Sequence, residues 1–360
     1  MKLGLGLYRD RLNKDNLRFA RQAGCTHIVA HLVNYYNGIE GLPATDKDRN
    51  MGVSRPNEDI WSYESLIGLK KMINEEGLVF EAIENFCPAD WYDILMDGPN
   101  KKAQLEHLKQ IIRNVGRAGV PIIGYNFSIA GVWGHVNRPV ARGGAVTATF
   151  NIQEGPIETP IPNGQIWNMT YDPDAPNGFI PPISSEELWE RLAYFLKELV
   201  PVAEEADVRL AAHPDDPPMP TIRGYGRLVN QPDLYQKLLD IYPSNSNALE
   251  FCMGTLQEMT EGDIYESINQ YSKQNAIGYV HFRNVIGKVP NYQEVFVDEG
   301  DIDMINALRV FKANGFNGVF IPDHTPQMTC KAPWHAGMAY ALGYMKAALS
   351  IVNGESDRRG

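Results

Sequence analysis

The run Ala211-Ala212-His213-Pro214-Asp215-Asp216-Pro217-Pro218 ends an apolar strand (Val208, Leu210, Ala211, Ala212) in a histidine, two carboxylates and paired prolines. Proline locks φ and offers no N–H, so the chain stops abruptly and presents these side chains on a stiff turn. Taken alone, the run reads equally as a proline-stiffened turn with a surface acidic pair. Recurrence decides between the readings, because three later strands end in the same kind of chemistry.

Working outward, a strand-then-helix pattern occurs eight times. The strand candidates are Leu3–Leu7, His27–Leu32, Val79–Ile83, Pro121–Phe127, Val208–His213, Ala248–Cys252, Gly278–Phe282 and Gly318–Asp323. Amphipathic segments separate them, such as Lys101–Ala118 with Leu105, Leu108, Ile111, Ile112 and Val115 on one face, and Ser185–Ala206, which opens on the cap signal Ser184-Ser185-Glu186-Glu187. Alternation of this kind calls for a parallel sheet with helical crossovers, and eight units favour a closed (β/α)8 TIM barrel over an open doubly wound sheet. No GxGxxG follows the first strand; Gly4-Leu5-Gly6-Leu7 lies inside it. The reading is one α/β domain over residues 1–360 with long inserted loops after strands 4 and 7, at 128–182 and 283–301. Trp133, His135, Phe150, Trp167 and Tyr171 argue against simple disorder in the first, which is expected to be a lid or a subunit-contact arm.

The chain has 360 residues and a net charge of −11. That charge opposes nucleic acid as a partner, because phosphate binding needs a basic face. A bound cation with one or two arginines still accommodates a small acidic substrate. No apolar run is long enough for a membrane span, and Arg9, Asp10 and Arg11 interrupt any signal-peptide core. The expected location is cytoplasmic. The four cysteines form no CxxC pair and no disulfide framework.

Strands five to eight end in His213, Cys252, His281 and Asp323. Each has a structural alternative: a hydrogen-bonded histidine, a core thiol, a turn aspartate. A closed barrel, however, brings all four strand ends onto one rim. Two imidazoles, a thiolate and a carboxylate suit a borderline divalent metal (iron(II), manganese, cobalt or zinc) and not magnesium or calcium. Arg283 lies two residues past His281, so an extended strand points both the same way; its structural alternative is an internal ion pair with Glu250. His324 adjoins Asp323. Arg9, His31, Glu84-Asn85 and Asn126 end the first four strands, and for His31 and Glu84 structure and function weigh equally.

The segments HPDDPP at His213–Pro218, NALEFCMGT at Asn247–Thr255, HFRNV at His281–Val285 and DHTP at Asp323–Pro326 resemble the mannonate dehydratases of hexuronate catabolism. The resemblance spans nearly the whole chain and keeps all four ligand positions. It implies a xylose-isomerase-like barrel that converts D-mannonate to 2-keto-3-deoxy-D-gluconate and water, with Fe2+ or Mn2+ as cofactor. Within that reaction His324 is the leading proton-transfer candidate, and Arg283 is a candidate to grip the substrate carboxylate in bidentate fashion. Asp216 and Tyr340 are candidates for the partner acid or for support, with the assignment of base and acid left open. The competing readings are a metal-dependent sugar isomerase or epimerase on the same barrel, whose sites are richer in Glu and Asp ligands, and a non-catalytic sugar-acid binding protein. The aromatic long loop suggests a homo-oligomer.

Overall fold

The structure, a computed structural model, describes residues 1–35, 52–154 and 158–354. Eight parallel strands carry the frame: β1 Lys2–Leu7, β2 His27–His31, β3 Val79–Glu84, β4 Ile122–Tyr125, β5 Arg209–Ala212, β6 Asn247–Cys252, β7 Ile277–His281 and β8 Val319–Ile321. They pair in chain order, and β8 returns to β1 through Lys2↔Val319 and Leu3↔Phe320, which closes the barrel. All eight expected strands are present, with ends shifted by a few residues.

Alternation sorts the strand side chains. Val29, Ala82, Ile122, Ala211, Ala248, Tyr279, Val319 and Ile321 form one buried cluster inside the barrel. The strands' other faces, such as Leu3, Leu5, Leu7, Ile28, Phe80, Phe251 and Phe320, join the helices in the main core. Burying one such side chain is worth about 1.5–3 kcal/mol. Strand β1 contributes glycines to the interior: a Cβ on Gly4 would stand 2.6 Å from Val319 Cγ1 and 3.2 Å from the His27 carbonyl.

The helices follow the sequence reading. Ser185–Glu205 starts on a reciprocal cap, with Glu187 N–H donating to Ser184 Oγ at 3.2 Å and Ser184 N–H to Glu187 Oε2 at 2.9 Å. An extra helix, Pro88–Met96, was not expected. It is short and nearly all buried, so it lacks the polar face that marks a surface helix, though proline at its first position is a start signal.

The two long segments meet. His135–Ala141 and Ala145–Asn151, after β4, form a hairpin, and Val285–Lys288 with Asn291–Glu294, after β7, forms another. Tyr292 pairs with Phe150 and Gln293 with Thr149, so four antiparallel strands make one sheet. Phe150, Tyr292 and Val289 give it a small core of its own, the two rings stacked at 5.5 Å. On either side of the first hairpin, the Arg223 guanidinium lies 3.8 Å over the Trp133 ring and donates to the Thr159 and Pro160 carbonyls, tying that segment to the loop after β5. No helix among the described residues is long and apolar enough to cross a membrane.

Candidate metal centre and active-site cavity

The C-terminal ends of β5, β6 and β7 bring together three donors of different kinds. Cys252 and His281 are register partners at the ends of β6 and β7. His213 follows β5, its N–H donating to the Tyr125 carbonyl at 2.8 Å. One ligand atom from each of His213, Cys252 and His281 lies within 4.8 Å of the others. His213 Nδ1 is 2.6 Å from the Pro214 carbonyl. A carbonyl only accepts, so Nδ1 carries the hydrogen and Nε2 is the ligating nitrogen. Burial alone raises the Cys252 thiol, but Arg283, His213 and His281 reverse this and bring it down to about 5, a thiolate at neutral pH.

Asp323, past β8, stands beside this trio. Its carboxylate is 3.4 Å from His281 Nδ1 and 3.5 Å from Arg283 Nε. Against the cost of burial, His324 and His281 hold it well below the usual carboxylate range. A second carboxylate group lies on the same histidine: Glu250 Oε1 at 3.1 Å and Glu84 Oε2 at 3.3 Å from His281 Nε2, with the Tyr279 hydroxyl donating to Glu84 at 3.2 Å. A side chain on Gly124 would collide with Glu250 and the Tyr279 hydroxyl, so glycine there makes room for this group.

A divalent cation fits these residues. Among the described residues, His281 Nδ1 and both Glu250 oxygens are buried without a well-formed hydrogen bond, although Glu250 Oε1 and His281 Nδ1 each have an ionisable neighbour, at 3.1 and 3.4 Å. Such atoms cost about 1–3 kcal/mol each unless something satisfies them. Neighbouring histidines and Arg283 hold Glu84, Asp216, Glu294 and Asp323 below their ordinary values, so these carboxylates are ionised where a cation would meet them.

Arg283 is 2 % exposed and faces protein rather than the cavity. It donates from Nη1 to Glu294 at 2.7 Å and from Nη2 to Asp216 at 2.7 Å and Glu258 at 3.2 Å. Its fork is taken up by these carboxylates, which leaves no bidentate edge for a substrate. Glu250, offered as its partner in the sequence reading, instead faces His281. Tyr340 also falls elsewhere. It lies outside the cavity lining, packs on Phe296, and its hydroxyl accepts from Arg142 at 3.1 Å.

His324 does reach the cavity, a space of about 240 Å3 that also borders His213, His281, Asp216 and Asp323. Its side chain is 43 % exposed there, with Nδ1 3.0 Å from Glu294 Oε1 and Nε2 3.4 Å from Asp323 Oδ1. Burial disfavours the imidazolium, but Asp323 and Glu294 outweigh it and raise the group to about 9.

The two adjacent aspartates diverge. Asp215 Oδ2 accepts from the backbone N–H groups of Leu228 and Val229, and its Oδ1 pairs with Arg227 at 2.9 Å, so it braces the loop. Asp216 turns to the site, where it meets Arg283, Thr255 and the Tyr292 hydroxyl.

Sequence reasoning did not assign Glu258, Glu294, Tyr292 or His135 to the site. Glu294 and Tyr292 alternate with outward residues on their strand, as do His135 and Asn137 on theirs. That period-two pattern was the only available signal. Trp167, which also borders the cavity, sits at φ 56°, a left-handed backbone for which its sequence carries no signal.

A family model described as "D-mannonate dehydratase (UxuA)" matches residues 1–155 and 179–354. A mannonate dehydratase of Streptococcus suis is 31 % identical over 297 residues, 80 % of this chain and 79 % of its own length. The crystal structure of mannonate dehydratase from Streptococcus suis serotype 2 superposes with a TM-score of 0.78 at 27 % identity, covering 99 % of this chain and 95 % of that one. A xylose isomerase domain protein from Planctomyces limnophilus, at 12 % identity and TM-score 0.59 over 98 % of both chains, shares the fold.

Proposed function

We propose, for a chain that belongs to the D-mannonate dehydratase family, that this cavity takes water from D-mannonate to give 2-keto-3-deoxy-D-gluconate, with Fe2+ or Mn2+ held by His213, Cys252, His281 and Asp323. The observation that carries the reading is the strand-end trio of two imidazoles and a thiolate, with His324 turned into the same cavity. When bound, a divalent cation supplies Lewis acidity to substrate oxygens as negative charge builds beside the carboxylate.

The chain's own residues do the rest. Glu294 accepts a hydrogen bond from His324 Nδ1, and Nε2 stands 3.4 Å from Asp323 Oδ1. With Asp323 holding a cation, the charge that raises His324 is drawn off, so that a neutral Nε2 accepts the proton on carbon two. Arg283 acts through others: it fixes Asp216 and Glu294 and lowers the Cys252 thiol. The cap sheet excludes water from above, through Val146, Thr147 and Ala148. The reading also carries a cytoplasmic enzyme acting on a small sugar acid, without nucleic acid or membrane, as a homo-oligomer.

A sugar isomerase or epimerase would draw on a carboxylate-rich ligand set, and Cys252 speaks against it. The test is formation of a 2-keto acid from D-mannonate by protein loaded with Fe2+ or Mn2+. Product is expected; isomerised sugar acid with no water lost would overturn the reading. Metal analysis beside Cys252→Ser identifies the ion and tests the thiolate.

A further inference from the structure

We propose that His135, delivered by the inserted hairpin, is the general acid that protonates the hydroxyl leaving carbon three. The inference rests on the dehydratase reading above.

The two other candidates for the second proton-transfer group are poorly placed. Tyr340 lies outside the cavity lining. Asp216 is buried and, against that burial, is held ionised by Arg283 and His135, so it has no proton to give. His135 borders the cavity and is 7 % exposed. Its Nε2 is 2.5 Å from the Tyr292 hydroxyl, which donates to Asp216 Oδ1 at 3.0 Å.

These two contacts fix the hydrogens on the Tyr292 hydroxyl and on His135 Nε2. A carboxylate only accepts, so Tyr292 commits its hydrogen to Asp216 and its oxygen accepts from His135 Nε2–H. Nε2 keeps its hydrogen throughout, and the transferable proton is the one on Nδ1. In the proposed step His135 starts as the imidazolium, with Asp216 Oδ1 3.6 Å from its Nε2. Tyr292 is a positioning residue.

In the step itself, His324 takes the proton of carbon two, and that C–H electron pair becomes the double bond between carbons two and three. The bond from carbon three to its oxygen breaks as the Nδ1 proton of His135 passes to that oxygen. Water departs and His135 is left as the neutral Nε2–H tautomer. The enol then gains a proton at carbon three and loses its hydroxyl hydrogen, giving the keto acid with no net change in protons.

The test uses metal-loaded enzyme and two substrates: D-mannonate and its analogue with fluorine in place of the hydroxyl on carbon three. Fluoride leaves without a proton. His135→Gln is expected to lower kcat on D-mannonate by on the order of 10²–10⁴-fold and to lose much less on the fluoro analogue, whereas His324→Ala loses rate on both. Tyr292→Phe is expected to show the same selectivity at smaller size, and it carries the comparison if His135→Gln does not fold. An equal loss on both substrates, or no loss on either, would overturn the assignment. Wild-type enzyme that forms no 2-keto acid from D-mannonate would instead sink the dehydratase reading, and this step with it.

Discussion

The rim of the barrel and the sheet above it build one cavity by opposite routes. On the rim, His213, Cys252, His281 and Asp323 each end or follow a strand, and the closed frame gathers them whatever their loops do. In the sheet, His135 and Tyr292 meet only because hairpins from two loops, 157 residues apart at this contact, pair with each other. Rim chemistry is therefore a property of the fold, and sheet chemistry a property of one particular loop pairing. Substitutions should separate the two.

The largest effect is expected on the rim. Cys252→Ser replaces a thiolate that its surroundings bring down to about 5 with a hydroxyl that stays protonated. Metal content measured by elemental analysis should fall with turnover, by more than the roughly 10–100-fold typical of losing an outer-sphere partner. His324→Ala should keep the metal and lower kcat by about 10²–10⁴-fold; unchanged turnover would remove His324 from the chemistry. Glu294→Gln, on the sheet side, weakens the acceptor of both His324 and Arg283. A loss of roughly 10–100-fold in kcat with metal retained is expected. Loss of metal would mean that the sheet also supports the rim.

Phe150→Ala tests whether the sheet is a separate packing unit. It empties the small core shared with Tyr292 and Val289. Truncating a buried Phe typically costs about 3–5 kcal/mol, and here that cost should appear as faster hydrogen exchange in the sheet and reduced turnover, with the barrel strands' protection intact. Equal loosening of the barrel would merge the two regions.

The smallest effect lies at the far end of the barrel. Burial lowers His27, at the start of β2, to about 4. The unfolded chain then binds a proton between about pH 6.5 and pH 4 that the folded chain refuses, so stability falls as pH drops through that window. Melting curves at pH 7.5 and pH 5 should show a larger drop for wild type than for His27→Gln, with no link to turnover.

Most of the barrel was legible because its signals are local. Apolar runs, caps such as Ser184, and ligand-type residues at strand ends can all be read within a dozen residues. Arg283 does lie beside Cys252 and Asp323, but its fork is filled by protein carboxylates rather than left open to a substrate, since sequence gives direction along a strand and not which partner fills a guanidinium. Glu258, Glu294 and Asp216 fill it, coming from a helix, an inserted strand and the loop after β5. Tyr340 came from the resemblance, which implies a tyrosine near the end of the chain without fixing which, and the helix Pro333–Gly354 directs it to Arg142. Asp215 and Asp216 were indistinguishable as letters; the backbone N–H groups that capture Asp215 belong to Leu228 and Val229, in a loop whose path the sequence does not announce.

The joint sheet also limits how this protein can be re-engineered. Its second and third strands, Ala145–Asn151 and Asn291–Glu294, come from different hairpins. Transplanting either insertion alone into another scaffold would strip one flank of its ladder and leave bare N–H and C=O groups, an invitation to aggregate. The two must travel as a pair, and only together would they bring the imidazole, phenol and carboxylates of the cap to a new host.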